Sequence, residues 1–206
     1  EIPRGGEYAL VLSDGTKVHL NSMSSLRFPV AFTTGKREVE LQGEAYFEVS
    51  KTGQPFIVNA NGIQVEVLGT TFNISAYPDE EYQTTLVNGS VKVSAEKGES
   101  LILKPSQQAT IALGSNSIQV RTVDTSFYTS WVKGKINFKD QRLEDIMKTL
   151  SRWYDMNVVY ENEKLKNIRF GCNLNRYEEI TPFVKLLEKT EEVHVKIEGN
   201  TITFHN

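Results

Sequence analysis

His19, His194, His205 and Cys172 are the residues of this chain whose chemistry best suits nucleophilic or metal-dependent catalysis. Neither an HExxH pair nor a Cys/His cluster occurs, and one cysteine forms no intrachain disulfide and no Cys-based metal site. Cys172 and His194 both fall in strand-like segments that would share one small sheet, an arrangement that would suit a thiol nucleophile and its base. Cys172 alternates with Phe170, however, as a small buried apolar residue does. His19 and His194 likewise read as half-exposed strand residues. Glu44 and Glu48 lie on one strand face with Tyr46 between them. Their Cα atoms would stand about 13 Å apart, beyond the roughly 5–9.5 Å carboxyl separation of glycosidases, so a solvated sheet face is expected. Gly69-Thr70-Thr71 lacks the spacing of a phosphate loop. The residues therefore predict no catalytic, cofactor-binding or metal-ligating group, and a protein that is not an enzyme.

The elements that carry these residues are of two kinds. From Glu1 to Val123 the period is two throughout. Tyr8–Ser13 and Thr16–Leu20 flank Asp14-Gly15, a two-residue signal suited to a type I′ turn. Val39 and Leu41 define one strand, and after Gly43 the residues Ala45, Phe47 and Val49 define another. Phe56–Asn59 leads through Asn61-Gly62 to Ile63, Val65 and Val67. Thr84–Val87 and Ser90–Ser94 flank Asn88-Gly89 as a further hairpin, and Leu101–Leu103 and Ala109–Leu113 flank Pro105-Ser106. Short alternating segments with frequent turn residues predict an all-β sandwich or solenoid-like domain.

After about residue 125 the period changes. Leu143, Ile146, Met147, Leu150 and Tyr154 mark one face of a helix, with Asp140 expected as its N-cap and Arg152 near its end. A second helix is expected over Tyr177–Lys189, burying Ile180, Phe183, Val184 and Leu187. Strands Ile136–Phe138, Asn157–Tyr160, Ile168–Asn173, Val193–Ile197 and Thr201–Phe204 complete an α+β unit of order β-α-β-β-α-β-β. Charge density agrees. Residues 1–125 hold 14 acidic and 10 basic groups, whereas the shorter 126–206 holds 12 and 13. Eleven of the 14 glycines fall in the first part, where β turns need them. The expectation is a mostly β chain of two domains, 1–125 and 126–206.

With a formal net charge of −3 over 206 residues, the chain lacks the concentrated basic surface that nucleic-acid binding needs. No apolar run approaches the roughly 20 residues of a membrane span. The chain opens at Glu1-Ile2-Pro3 without an initiator Met and reads as part of something longer.

Several segments resemble the FecR family. Leu10-Val11-Leu12-Ser13-Asp14-Gly15-Thr16-Lys17-Val18-His19-Leu20-Asn21 is similar to that family's L-x-D-G-[ST]-x-V-x-L-N opening. Arg37–Val49 is similar to its R-x-V-x-L-x-G-E-A-x-F-x-V segment. Pro55-Phe56-Ile57-Val58 and Val67-Leu68-Gly69-Thr70-Thr71-Phe72-Asn73 match its P-F-x-V and V-L-G-T-x-F-N words, and Leu86–Val91 its L-x-x-G-x-V hairpin. Phe138, Leu143, Ile146, Leu150 and Trp153-Tyr154 resemble the small secretin-and-TonB-type domain that ends such regulators. The resemblance implies a single-span inner-membrane anti-sigma regulator, of which this chain is the periplasmic part. Its implied partners are the amino-terminal signalling extension of a TonB-dependent receptor and, through a cytoplasmic segment and beyond a membrane anchor that this chain lacks, an extracytoplasmic-function sigma factor. The family's motifs carry no catalytic residue and no cofactor.

A relay domain needs a surface whose binding free energy differs between two states. Arg152 and Trp153, at the end of the first helix, and Arg169 and Asn173, outward-facing on Ile168–Asn173, are the expected partner-binding residues. An alternative reading is a carbohydrate-binding or adhesion module using outward Tyr46 and Tyr82. Asn73-Ile74-Ser75 and Asn88-Gly89-Ser90 match the glycosylation sequon, although Asn88 is better explained by its turn.

Overall fold

The computed structural model describes residues 1–33, 35–96 and 98–205. The chain divides into two compact units, Glu1–Tyr128 and Thr129–Asn206.

The first unit is built on β4 (Arg37–Glu48), twelve residues in which buried and exposed positions alternate. Along its first half it pairs with β3 (Ser25–Arg27) and, in parallel, with β5 (Phe56–Ala60). Along its second half it pairs with β2 (Lys17–Leu20) and β7 (Thr71–Ala76). The expected break at Gly43 is therefore a continuous strand. Gly43 has φ of 88° and takes the chain from one half of the sheet to the other without ending the alternation.

From the first half the sheet runs outward through β6 (Ile63–Val67), β9 (Val91–Ser94) and β10 (Ser100–Leu103). From the second it runs through β8 (Tyr82–Asn88), β11 (Gln107–Ile111) and β12 (Gln119–Thr122), with β1 (Tyr8–Val11) beside β2. Val39, Val58, Val65 and Val93 from one half and Val18, Phe47, Phe72 and Leu86 from the other share a single core. The mostly β expectation holds, and its form is one sheet curled around that core through a common strand.

Two hairpin readings fail. Asn61-Gly62 does close a hairpin, with both residues at positive φ (50° and 77°) and β5 paired to β6. Asn88-Gly89 does not: β8 pairs with β7 and β11, whereas β9 pairs with β6 and β10. Gly89, at φ 99° with Thr70 packed against its Cα, turns the chain from one half of the sheet into the other. The turn at Pro105-Ser106 carries it back, with Ser106 at φ 65°. The Asp14-Gly15 turn also differs from expectation. Only Gly15 is left-handed, at φ 83°, and the Gly15 amide bonds to the Leu12 carbonyl, so the loop holds three residues.

The second unit begins within a single helical turn, α1 (Ser126–Thr129). It has two small sheets where one was expected. β13 (Lys135–Arg142) pairs antiparallel with β15 (Arg169–Asn175). β14 (Asn157–Tyr160) pairs in parallel with β17 (Thr201–His205), which pairs antiparallel with β16 (His194–Glu198). Helix α2 (Leu143–Tyr154) packs on β13 and β14, and α3 (Thr181–Glu188) packs on β15 and β16, so each helix bridges both sheets. α2 buries Leu143, Ile146, Met147 and Leu150, each contributing about 1.5–3 kcal/mol by leaving water.

Its N-cap is Arg142, not Asp140. Asp140 sits two residues earlier at φ 50°, inside an irregularity of β13. α3 starts later than expected, at Thr181 with Pro182 in its first turn, where a proline's fixed φ favours helix entry.

A Cβ on Gly43 would lie 2.8 Å from Ser24 Cα and 2.9 Å from the Met23 carbonyl oxygen, in a left-handed backbone. Gly43→Ala is expected to lower the unfolding free energy by about 2–4 kcal/mol, read from urea midpoints.

Candidate functional site

The polar residues of the first unit's motif segments converge on two clusters, one buried and one partly buried. In one, Asp14 lies under the turn between β1 and β2. Its Oδ1 accepts from the Thr16 amide at 3.0 Å, and its Oδ2 from the Thr16 hydroxyl at 2.7 Å and from Arg37 Nη1 at 2.6 Å. The Arg37 guanidinium also donates to the carbonyls of Ser50 (2.8 Å) and Gln54 (2.6 Å) and stands 5.4 Å from the centre of the Phe56 ring. The Arg37 and Asp14 side chains are 1% and 7% exposed.

Burial alone would raise the Asp14 pKa. Hydrogen bonds from Thr16 and Arg37, with the Arg37 charge, outweigh it and hold the carboxyl below its ordinary value. Strand parity carries the sign of this cluster: Arg37 shares the inward face with Val39 and Leu41, so it enters the core and must be paired there.

In the second cluster the half-buried Glu44 accepts from Asn21 Nδ2 at 2.7 Å and from Asn73 Nδ2 at 2.9 Å, and its amide donates to the Ser24 hydroxyl at 2.8 Å. The solvated face expected for Glu44 and Glu48 thus applies to Glu48 alone. Glu44 is held by two amides, Asn21 just past β2 and Asn73 on β7, an arrangement that fixes strand positions.

The residues considered for catalysis do not assemble. His19 meets Tyr46 edge-on at 6.3 Å, and His194 and His205 face each other across β16 and β17 at 5.5 Å. Among the described residues no three His, Cys, Asp or Glu side chains are grouped to hold a metal ion. Cys172 lies on β15 and His194 on β16, in different sheets rather than the shared one expected. Burial pushes the Cys172 thiol up to about 11, opposite to the shift that activates a nucleophile.

The carbohydrate reading loses one of its two aromatics. Tyr82 is buried, its hydroxyl 2.6 Å from that of Thr84, and burial raises its pKa. Asn73, in one matched sequon, is buried against Glu44.

The expected partner-binding residues fall on two elements of the second unit. Arg152 and Trp153 lie near the end of α2, both half-buried. Trp153 stacks on Arg176, whose guanidinium carbon is 3.6 Å from the indole centre, and its Nε1 donates to the Arg176 carbonyl. Arg176 is 2% exposed; it also donates to the Trp131 carbonyl at 3.0 Å and stands 5.6 Å from the Trp131 ring centre. Tyr177 meets Trp153 edge-on at 6.0 Å. Sequence reasoning missed Arg176. It follows the last strand residue, beyond the alternation that would have marked it as buried.

Arg169 and Asn173 are exposed on the outer face of β15, with Phe170 and Cys172 facing inward. Arg169 Nε bonds Asp140 Oδ1 at 2.9 Å and its guanidinium also donates to the Asp140 carbonyl, bracing the irregular turn of β13.

Two family profiles match the chain, "FecR protein" over residues 1–92 and "FecR, C-terminal" over 135–204. Two crystal structures, at 1.65 and 2.50 Å, of a protein put forward as an anti-sigma factor from Parabacteroides distasonis ATCC 8503 are similar throughout. Identity is 26% in both, TM-scores are 0.91 and 0.90, and the matches cover 100% of this chain and 97% and 96% of the others. Among the curated proteins nothing matches. The chain belongs to the FecR family of anti-sigma regulators; the first match falls within the first unit and the second within the second.

Two measurements test the clusters. Asp14 is less protonated in the native state than in the unfolded one, so its contribution to stability is complete above the ordinary carboxylate pKa. It is lost as pH falls through the lowered native value. Asp14→Asn, which leaves Arg37 buried beside a neutral partner, is expected to cost about 3–5 kcal/mol at pH 7 and less in acid, by denaturant titration across pH. Cys172 in the native protein is expected to react with a thiol reagent at neutral pH far more slowly than in urea, followed by absorbance.

Proposed function

We propose that this chain is the periplasmic, receptor-facing region of a transmembrane anti-sigma regulator. It receives a signal from the amino-terminal extension of a TonB-dependent outer-membrane receptor. The regulator passes that signal to an extracytoplasmic-function sigma factor, which it engages through a cytoplasmic segment. The observation that carries this reading is that both parts of one regulatory family match the chain in order.

The chemistry of the residues supports it. The buried ion pair and the amide-held glutamate are joined to their own strands, and the thiol is protonated at neutral pH. These groups brace a fold and none of them is an activated nucleophile, which supports a chain that acts by binding. Among the described residues no helix is long and apolar enough to cross a membrane. A place on the periplasmic face of the inner membrane follows from the family.

The second unit is the part that meets the receptor. The exposed face of β15, with Arg169 and Asn173, and the end of α2, with Arg152 and Trp153, are its contact residues. β15 pairs only with β13 among the described residues, which leaves its other edge for backbone pairing with a partner strand.

Titration of the labelled chain with the purified extension of the receptor encoded nearest its gene is expected to move the amide resonances of Arg152, Trp153 and residues 168–173. Saturating extension that moves none of them would overturn this assignment.

A further inference from the structure

The two-stranded ribbon of the second unit carries an unusual combination of side chains on its outer face. Ile136 and Phe138 of β13 and Phe170, Cys172 and Leu174 of β15 point into the core. Their alternates point outward: Lys135, Asn137 and Lys139 on β13, and Arg169, Asn173 and Asn175 on β15. The register sets Lys135 opposite Asn175 and Asn137 opposite Asn173, so two asparagines lie side by side between two lysines. Lys135 and Lys139, both exposed, make no ion pair among the described residues.

The carboxylates at the margins of this face are engaged. Asp140 is held by Arg169, and Glu178 accepts from Asn175 Nδ2 at 3.1 Å. The exposed acidic residues Glu188, Glu191 and Glu192 lie instead at the end of α3 and beyond it. Two free cations four residues apart on a strand are about 13 Å apart, which is also the spacing of carboxylates four residues apart on an extended chain. Lys133, Lys135, Lys139 and Arg169 are the exposed basic residues here, but Asp140 pairs Arg169, and the three lysines left fall short of the four to eight basic residues of a polybasic lipid-binding cluster. Paired asparagines supply donors and acceptors in the plane between the charges, as a polypeptide partner requires.

We propose that the outer face of the β13–β15 ribbon docks an acidic, extended segment of a partner protein, with Lys135 and Lys139 pairing its carboxylates and Asn137 and Asn173 hydrogen-bonding between them. This rests on the reading that the second unit meets a protein partner, and it assigns that partner's chemistry.

The probe is a soluble peptide of alternating Glu and Thr, titrated into the isotopically labelled chain, with an alternating Lys and Thr peptide as control. The acidic peptide is expected to move the resonances of Lys135, Asn137, Lys139 and Asn173, and the basic one to leave them in place. Binding should weaken about tenfold or more in the Lys135→Glu/Lys139→Glu variant and in about 0.5 M salt, because exposed charges are screened. Both lysines are exposed, and an unchanged urea midpoint verifies that the variant folds. Shifts elsewhere, no shifts, or binding of anionic phosphatidylglycerol vesicles in preference to the peptide would overturn the proposal. The receptor extension separates the two levels. If it binds the wild type and the double variant equally, this face is wrong while the functional reading stands. If it does not bind the wild type, the functional reading falls and the peptide alone decides the face.

Discussion

The Arg37 guanidinium is the point at which separate stretches of the first unit meet. It reaches Asp14 in the first turn and the backbone of Ser50 and Gln54 on the connection that follows β4, and it lies against Phe56 at the start of β5. A charge taken this far from water is tolerated only when nearly every donor has an acceptor, so the cluster dictates the path of the connections around it. Its worth lies in specificity more than in net energy. An apolar pair of similar volume would fill the space, but it would not require Asp14 to sit under its turn or the carbonyls of Ser50 and Gln54 to point inward.

Glu44 performs a related task on the opposite face of the same strand. Its two amide partners come from Asn21, just past β2, and from Asn73 on β7, the neighbours of β4 on either side. The inner face of β4 is thus tied to the turns and its outer face to the adjacent strands. Because β4 belongs to both halves of the curled sheet, slippage at either cluster would disturb the whole core.

The alternation of apolar residues made most strands legible, since parity survives whatever the strands pair with. Pairing itself was less legible. Asn61-Gly62 and Asn88-Gly89 have the same local chemistry, yet the first closes a hairpin and the second carries the chain between sheet halves. Turn residues specify a bend; only the distant strands β6, β7, β10 and β11 decide which neighbour follows. The order of elements in the second unit was readable because α2 has a clean apolar face, but its division into two sheets depends on non-local register. Asp140 looked like a helix cap because its type and position suit one, and the irregularity of β13 claimed it instead. The buried cations were the hardest to see. Arg37 had parity to mark it, whereas Arg176 sits where no pattern runs.

Arg176 also gives the molecule an optical property. Both tryptophans of the chain, Trp131 and Trp153, lie in the second unit and share this one cation between their rings. The first unit has only tyrosine and phenylalanine chromophores. Indole emission therefore originates wholly from the carboxyl-terminal unit, and from one small neighbourhood of it, so the protein carries its own spectroscopic label there while the larger β unit stays dark at those wavelengths.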